Sequence, residues 1–246
     1  MSKLSIFSAG SFTTILGGLA VFMLTGAKMP IGNGEFNEIT VHRINVVEPD
    51  GTKRLIISNR AQFPGEFDQG KEVAREDRNS FAGILFLDEE GNENGGLIQK
   101  GQQTSDGKIS AGLSLTFDRY KQDQALQLVH QNSESHSLAS VKINDVPSYK
   151  VTSMEDIRRF KAEANKLSID QQKAFWQRLS EEGRLSENRI YMGTTLDKAS
   201  ALSLKDAQGR TRMLLLVSAD GVAEIRMLNE DGKVIKKILS SSSDTN

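Results

Sequence analysis

The residues best equipped for chemistry lie in the run Thr116-Phe-Asp-Arg-Tyr-Lys-Gln-Asp-Gln124. Asp118, Tyr120, Asp123 and Gln124 converge there within seven positions, between two apolar runs. Two carboxylates beside a phenol are the material of general acid–base catalysis, and of glycoside hydrolysis if they face one cleft roughly 5–10 Å apart. The same residue types also suit an ordinary connection between strands, where Asp accepts hydrogen bonds from turn amides. These four are therefore binding candidates, and no residue is assigned a catalytic, cofactor-binding or metal-binding role.

Two other clusters carry weaker signals. Asp88-Glu-Glu-Gly-Asn-Glu-Asn94 offers oxygen ligands for calcium but lacks the alternating acidic order of an EF-hand loop, and it reads better as a solvated hairpin turn. His130 and His136 flank Asn-Ser-Glu-Ser, a metal pair without an evident third ligand. Gly-x-Ser-x-Gly, phosphate-binding glycine loops and His-Glu-x-x-His are all absent from the sequence. There is no cysteine, which excludes disulfides, thiolate zinc sites and cysteine nucleophiles. With 31 basic and 32 acidic residues the charge balance is even, so no broad basic surface for nucleic acid is expected, and no cofactor is implied.

The elements that would position such residues are mostly strands. In Ser200–Leu239, apolar residues recur at every second position: Leu202 and Leu204, then Met213, Leu215 and Val217, then Ile225 and Met227. Strand side chains alternate between faces, so each run buries one face and wets the other. Asp206-Ala-Gln-Gly209, Asp220-Gly221 and Asp231-Gly232 separate the runs, and glycine supplies the positive φ that hairpin turns need. A looser copy of this plan spans Arg43–Ser58 and Ala82–Gly91, with Asp50-Gly51 at its first turn. It reads as a hairpin that recurs because it folds well, or as a duplicated ligand-binding unit. Seven strand candidates precede the helical segment and five follow it. Residues 59–80 are polar and irregular, a long loop of the kind that is often functional.

Near the middle the period changes. Ser153-Met-Glu-Asp156 and Ser168-Ile-Asp-Gln171 are capping boxes, each followed by apolar residues at helical spacing, and Gly183 suits a helix end. The single tryptophan, Trp176, is read as a core anchor. At the other extreme, Leu4–Ala27 carries no charge. As a helix its length of about 36 Å spans a hydrocarbon core, yet its densest part, Ile15–Leu24, also suits a signal peptide cleaved near Ala27.

The phrases RINVVEPDGTKRLIISN, AGILFLDEEGNENGGLI, SLTFDRYKQDQALQL and LSLKDAQGRTRMLLLVSADGVAEIRMLNEDGKV resemble a family of bacterial proteins that are exported or membrane-anchored and β-rich. The likeness covers most of residues 38–145 and 189–238. It implies a cell-envelope location and no particular activity, and it transfers no site residues.

The expectation is a mainly β protein: an antiparallel meander, sandwich or barrel, with an inserted helical hairpin and an N-terminal hydrophobic helix. Its parts are an anchor or signal peptide at 1–28, a linker at 29–37, one β-rich domain at 38–240 with the helical insert at about 153–183, and a disordered tail at 241–246. It sits on the membrane through its N-terminal segment with the soluble domain outside the cytoplasm, or is secreted after cleavage. Its role is that of a non-enzymatic envelope module with a protein partner. The alternatives are an extracytoplasmic protein binding a small apolar or saccharide ligand, and a hydrolase using Asp118 and Asp123.

Overall fold

The structure is a computed structural model that describes residues 33–239. The expected N-terminal helix and the C-terminal tail lie outside the described residues. The chain divides into a unit Met1–Val41, whose described residues hold no helix or strand, and a unit His42–Asn246, which carries every described helix and strand.

This second unit is mainly β. Its strands are β1 (Arg43–Val47), β2 (Lys53–Ser58), β3 (Glu66–Asp68), β4 (Lys71–Val73), β5 (Ala82–Leu87), β6 (Glu93–Gln103) and β7 (Ile109–Asp118). There follow β8 (Gln124–Asn132), β9 (Ser137–Asp145), β10 (Glu187–Thr194), β11 (Ser200–Lys205), β12 (Thr211–Val217), β13 (Ala223–Leu228) and β14 (Val234–Leu239). Twelve of them form one antiparallel sheet in the order β1-β2-β5-β6-β7-β8-β9-β10-β11-β12-β13-β14, and β3-β4 is a separate hairpin. The twelve match the seven and five strand candidates of the sequence. Among the described residues no ladder joins β1 to β14, and the twelve do not split into two sheets.

One turn chemistry joins most of these strands. In Glu48–Thr52, Asp88–Asn92, Thr104–Lys108, Thr195–Ala199, Asp206–Arg210, Ser218–Val222 and Asn229–Lys233, the first N–H donates to the fifth carbonyl and the fourth N–H to the first carbonyl. The fourth residue always has positive φ, from 64° at Lys198 to 93° at Gly51. This is the three-residue hairpin loop closed by a bulge in the left-handed region, with glycine there in six of the seven and Lys198 in the other. The first side chain caps the loop where it is Asp or Asn: Asp88 Oδ1 accepts from Glu90 N at 2.9 Å and Asn92 N at 2.8 Å. Asp206 and Asn229 repeat this arrangement. The two copies seen in the sequence are thus a single turn motif used seven times. The acidic turn at Asp88 spends its leading carboxylate on its own amides.

The registers add up across the whole sheet. Ile44, Ile57, Ile84, Leu97, Leu115, Leu128, Val141, Met192, Leu202, Leu215, Ile225 and Ile238 pair in succession, one from each strand. Directly paired residues share a face, so this is one unbroken aliphatic row. A second row two residues away runs Val46, Leu55, Phe86, Gly95, Phe117, Leu126, Ile143, Ile190, Leu204, Met213, Met227, Lys236 on the same face. The opposite face runs Asn45, Ile56, Leu85, Gly96, Thr116, Gln127, Lys142, Tyr191, Ser203, Leu214, Arg226, Lys237. It is polar over most of its width and apolar where Ile56 and Leu85 meet Phe67 and Leu87 in a buried cluster.

Phe67 belongs to the 59–80 segment, which is not the irregular loop expected. Asn59 caps a 3-10 turn at Arg60–Gln62, β3 and β4 follow, and a second 3-10 turn covers Glu76–Arg78. The segment folds down because Phe67, 3% exposed, has more to gain in the cluster than in water.

Both expected helices form, α1 (Met154–Ala164) and α2 (Ile169–Glu181), each with both halves of its capping box made. Gly183, at φ 66°, ends the second. Trp176 is half-buried and packs edge-on against Phe175 at 5.3 Å, while Phe160, Ala164 and Leu179 are the fully buried members of the pair.

Candidate functional site

Three of the four candidate residues, Asp118, Asp123 and Gln124, line one polar cleft of about 560 Å³. The turn between β7 and β8 delivers them: Arg119 N donates to Asp123 O at 3.0 Å, with Lys121 at φ 54°. The facing wall comes from the 59–80 segment through Glu66, Phe67, Arg75 and Arg78, and a third wall from the start of α1 through Ser153, Met154, Ile157 and Arg158. Because Phe67 packs on Ile56 and Leu85, the cleft lies on the face opposite the aliphatic rows.

Gln122 ties the β7–β8 turn to α1. Its Nε2 donates to the carbonyl of Thr152, which is fully buried, and Thr152 Oγ1 accepts from Arg184 Nε at 2.9 Å. Arg78 grips Glu93 through two bonds of 2.5 and 2.8 Å, and donates also to the Gly65 carbonyl. Glu66 receives Arg75 at 3.2 Å and Arg158 at 3.1 Å, which fastens the 59–80 segment to α1.

Asp118 is the exception in this network. Its Oδ1 is sealed from solvent without a hydrogen-bond partner. Burial pushes its carboxyl up to about 7, the charges of Asp123 and Glu93 push the same way, and Arg78 pulls back. Asp123 spends Oδ1 on the Gln124 amide at 2.9 Å, which is the turn-capping role open to it from sequence.

Tyr120 is not part of the cleft lining. Its hydroxyl donates to Glu90 at 2.8 Å, in the turn between β5 and β6, and its ring meets Tyr149 edge-on at 5.6 Å. Tyr149 lines the cleft in its place. The histidines are occupied within their own hairpin: His130 Nε2 lies 3.0 Å from Ser137 Oγ and His136 Nδ1 lies 2.7 Å from Ser133 Oγ. Among the described residues no group of three or more His, Cys, Asp or Glu is placed to hold a metal ion.

Sequence reasoning missed a second, larger recess of about 740 Å³. It opens on the aliphatic face at the β9–β14 end, and Met192, Leu202, Leu215, Ile225 and Ile238 of the unbroken row form its floor. Ala139, Thr194, Ser200, Val217 and Ala223 surround them. The one charged residue on its lining, Glu224, pairs with Lys237 at 2.5 Å and with Arg226. The floor is open to solvent, with Met192 at 50%, Leu215 at 36% and Ile238 at 45% exposure. The signal was present as alternation; what was lacking was the register that lines the runs up.

No protein-family model matches the chain, and a search of curated proteins gives no match. Among the described residues no helix is long and apolar enough to cross a membrane, and Leu4–Ala27 lies outside them.

Proposed function

We propose that this chain is a non-enzymatic protein of the cell envelope that holds an acyl-chain ligand in the aliphatic recess. The observation that carries this is the apolar row of twelve side chains, one per strand, five of which form the floor of an open recess of about 740 Å³. An exposed apolar patch of this extent marks a binding surface. Its volume falls within the range of small-ligand sites, ~300–1,000 Å³.

The chemistry of the lining selects the ligand. A protein interface needs about one hydrogen bond per 100–200 Å². On its floor the recess offers the hydroxyls of Thr194 and Ser200 and little else, since the amides of β10 to β13 are spent in ladders on both sides and Glu224 is spent on Lys237 and Arg226; only the outer edge of β14 has backbone groups without a ladder among the described residues. A hydrocarbon chain asks for no hydrogen bonds, and a short head group needs only one or two. The uncharged segment Leu4–Ala27 supports a place at the membrane, where acyl chains are at hand.

The test is titration of the full chain with cis-parinaric acid, a fatty acid whose fluorescence rises on burial. Saturable binding is expected. Met192→Glu and Leu215→Glu each place a carboxylate on the floor and weaken binding by at least ~10-fold, because a charge must be buried or the chain displaced. Both positions are half-exposed, so the fold survives. Binding that is absent, or equal in wild type and both variants, refutes the proposal.

A further inference from the structure

The polar cleft around Asp118 is independent of the aliphatic recess, on the other face of the sheet, and the proposed function leaves it unused. We infer that it is a second binding site, for a neutral polyhydroxylated ligand of the saccharide class. Four of its five lining cations are already answered, and Lys161 alone has no ion pair among the described residues. Arg78 is held by Glu93, Arg75 by Asp77 and Glu66, Arg158 by Glu66, and Lys121 by Glu90. A phosphate or carboxylate ligand would have to break one of these pairs to gain a guanidinium. A polyamine would find Asp68, Asp123 and Glu155 without an ion pair among the described residues, but would meet Arg75, Arg78 and Arg158 as like charges beside them, so spermidine is included as a competitor in the test.

A hydroxyl group meets neither obstacle. Fixed carboxylate–guanidinium pairs present acceptors and donors side by side, which is the pattern that adjacent hydroxyls match as combined donors and acceptors. Asp118 lines the cleft with its Oδ1 sealed and unbonded, so a ligand hydroxyl reaches that oxygen once the side chain turns toward the cleft. With its carboxyl raised to about 7 by burial and by the charges of Asp123 and Glu93, both its protonated and ionised forms are present at neutral pH, so it can donate or accept. Tyr149, 37% exposed, adds an aromatic surface on the cleft wall for the C–H face of a sugar ring. The volume, about 560 Å³, is that of a small-ligand site.

The experiment is a glycan microarray of neutral and charged saccharides probed with the full chain, followed by calorimetry with the strongest neutral binder. Asp118→Ala removes the carboxyl group and its hydrogen bonds without adding bulk; Tyr149→Ala removes the aromatic wall at a position that is 37% exposed. Each is expected to weaken binding by at least tenfold with circular dichroism unchanged, while inorganic phosphate and spermidine do not compete. Competition by free monosaccharides assigns the site to a terminal or free sugar, and competition by oligosaccharides alone assigns it to a polymer chain. Met192→Glu, in the recess, leaves saccharide binding intact, which separates this inference from the acyl-chain proposal. Retention of no neutral saccharide, competition by phosphate or spermidine, or affinity unmoved by both cleft variants overturns it.

Discussion

Replacing Asp118 by Asn changes how stability depends on pH, and the size of the change follows from the cleft. The Asp118 carboxyl lies at about 7 in the folded protein against an ordinary value of 3.8, because burial and the neighbouring charges of Asp123 and Glu93 disfavour its ionised form. Below about pH 4 it is protonated whether the chain is folded or not, and it makes no pH-dependent contribution. Between about pH 4 and 7 the unfolded chain gives up this proton and the folded chain keeps it. The folded state then binds more protons, so stability falls as pH rises, by about 1.4 kcal/mol per unit. Above 7 the loss is complete, at most about 4 kcal/mol for a gap of roughly three units. Asn has the same shape and no proton to lose. Urea unfolding of wild type and Asp118→Asn from pH 4 to 8.5 is therefore expected to give curves that diverge as pH rises, with the variant gaining on wild type by a few kcal/mol. Parallel curves across that range would show that Asp118 ionises normally and that the cleft does not bury it.

Two further substitutions test the surrounding frame. Arg78→Met leaves the Glu93 carboxylate, whose side chain is 15% exposed, without its partner; unfolding measurements are expected to show a loss of about 3–5 kcal/mol, and carboxyl NMR a further rise in the Asp118 titration midpoint, because Arg78 is the charge that pulls it down. Gly83→Ala tests the close strand approach in β5, where φ is 146° and an added Cβ runs into the Leu97 carbonyl of β6; thermal unfolding is expected to report at least ~2 kcal/mol of destabilisation.

Much of this fold was legible because its determinants are local. Alternation or short apolar runs between turn signals marked the twelve strands of the sheet, and Ser153 and Ser168 with their partners three residues on marked both helices. The aliphatic face was not legible for a physical reason. Alternation gives each strand two faces, but a register error of one residue exchanges them. The hairpin loops carry a bulge that shifts the register, as between Val46 and Val47, Phe86 and Leu87, or Leu204 and Lys205, so the alignment of Leu115 with Leu128 and onward to Ile238 appears only once the ladders are known. The cleft was half legible. Asp118, Asp123 and Gln124 stood out as polar residues between strands, and 59–80 as an unusually long connection. That these two meet depends on Phe67 being drawn to Ile56 and Leu85, a contact no local pattern encodes. Tyr120 stands outside the cleft lining for an equally non-local reason: its hydroxyl is taken by Glu90, thirty residues earlier.

The measurement that bears most directly on the central claim is methyl NMR of the full chain with spin-labelled stearic acid. A nitroxide on the acyl chain broadens methyl signals close to it. Selective broadening is expected at Met192, Leu202, Leu215, Ile225 and Ile238, the floor of the recess, with Ile56, Leu85 and Leu87 on the opposite face unaffected. Uniform broadening, or broadening confined to residues outside that floor, would contradict an acyl-chain site on the aliphatic face.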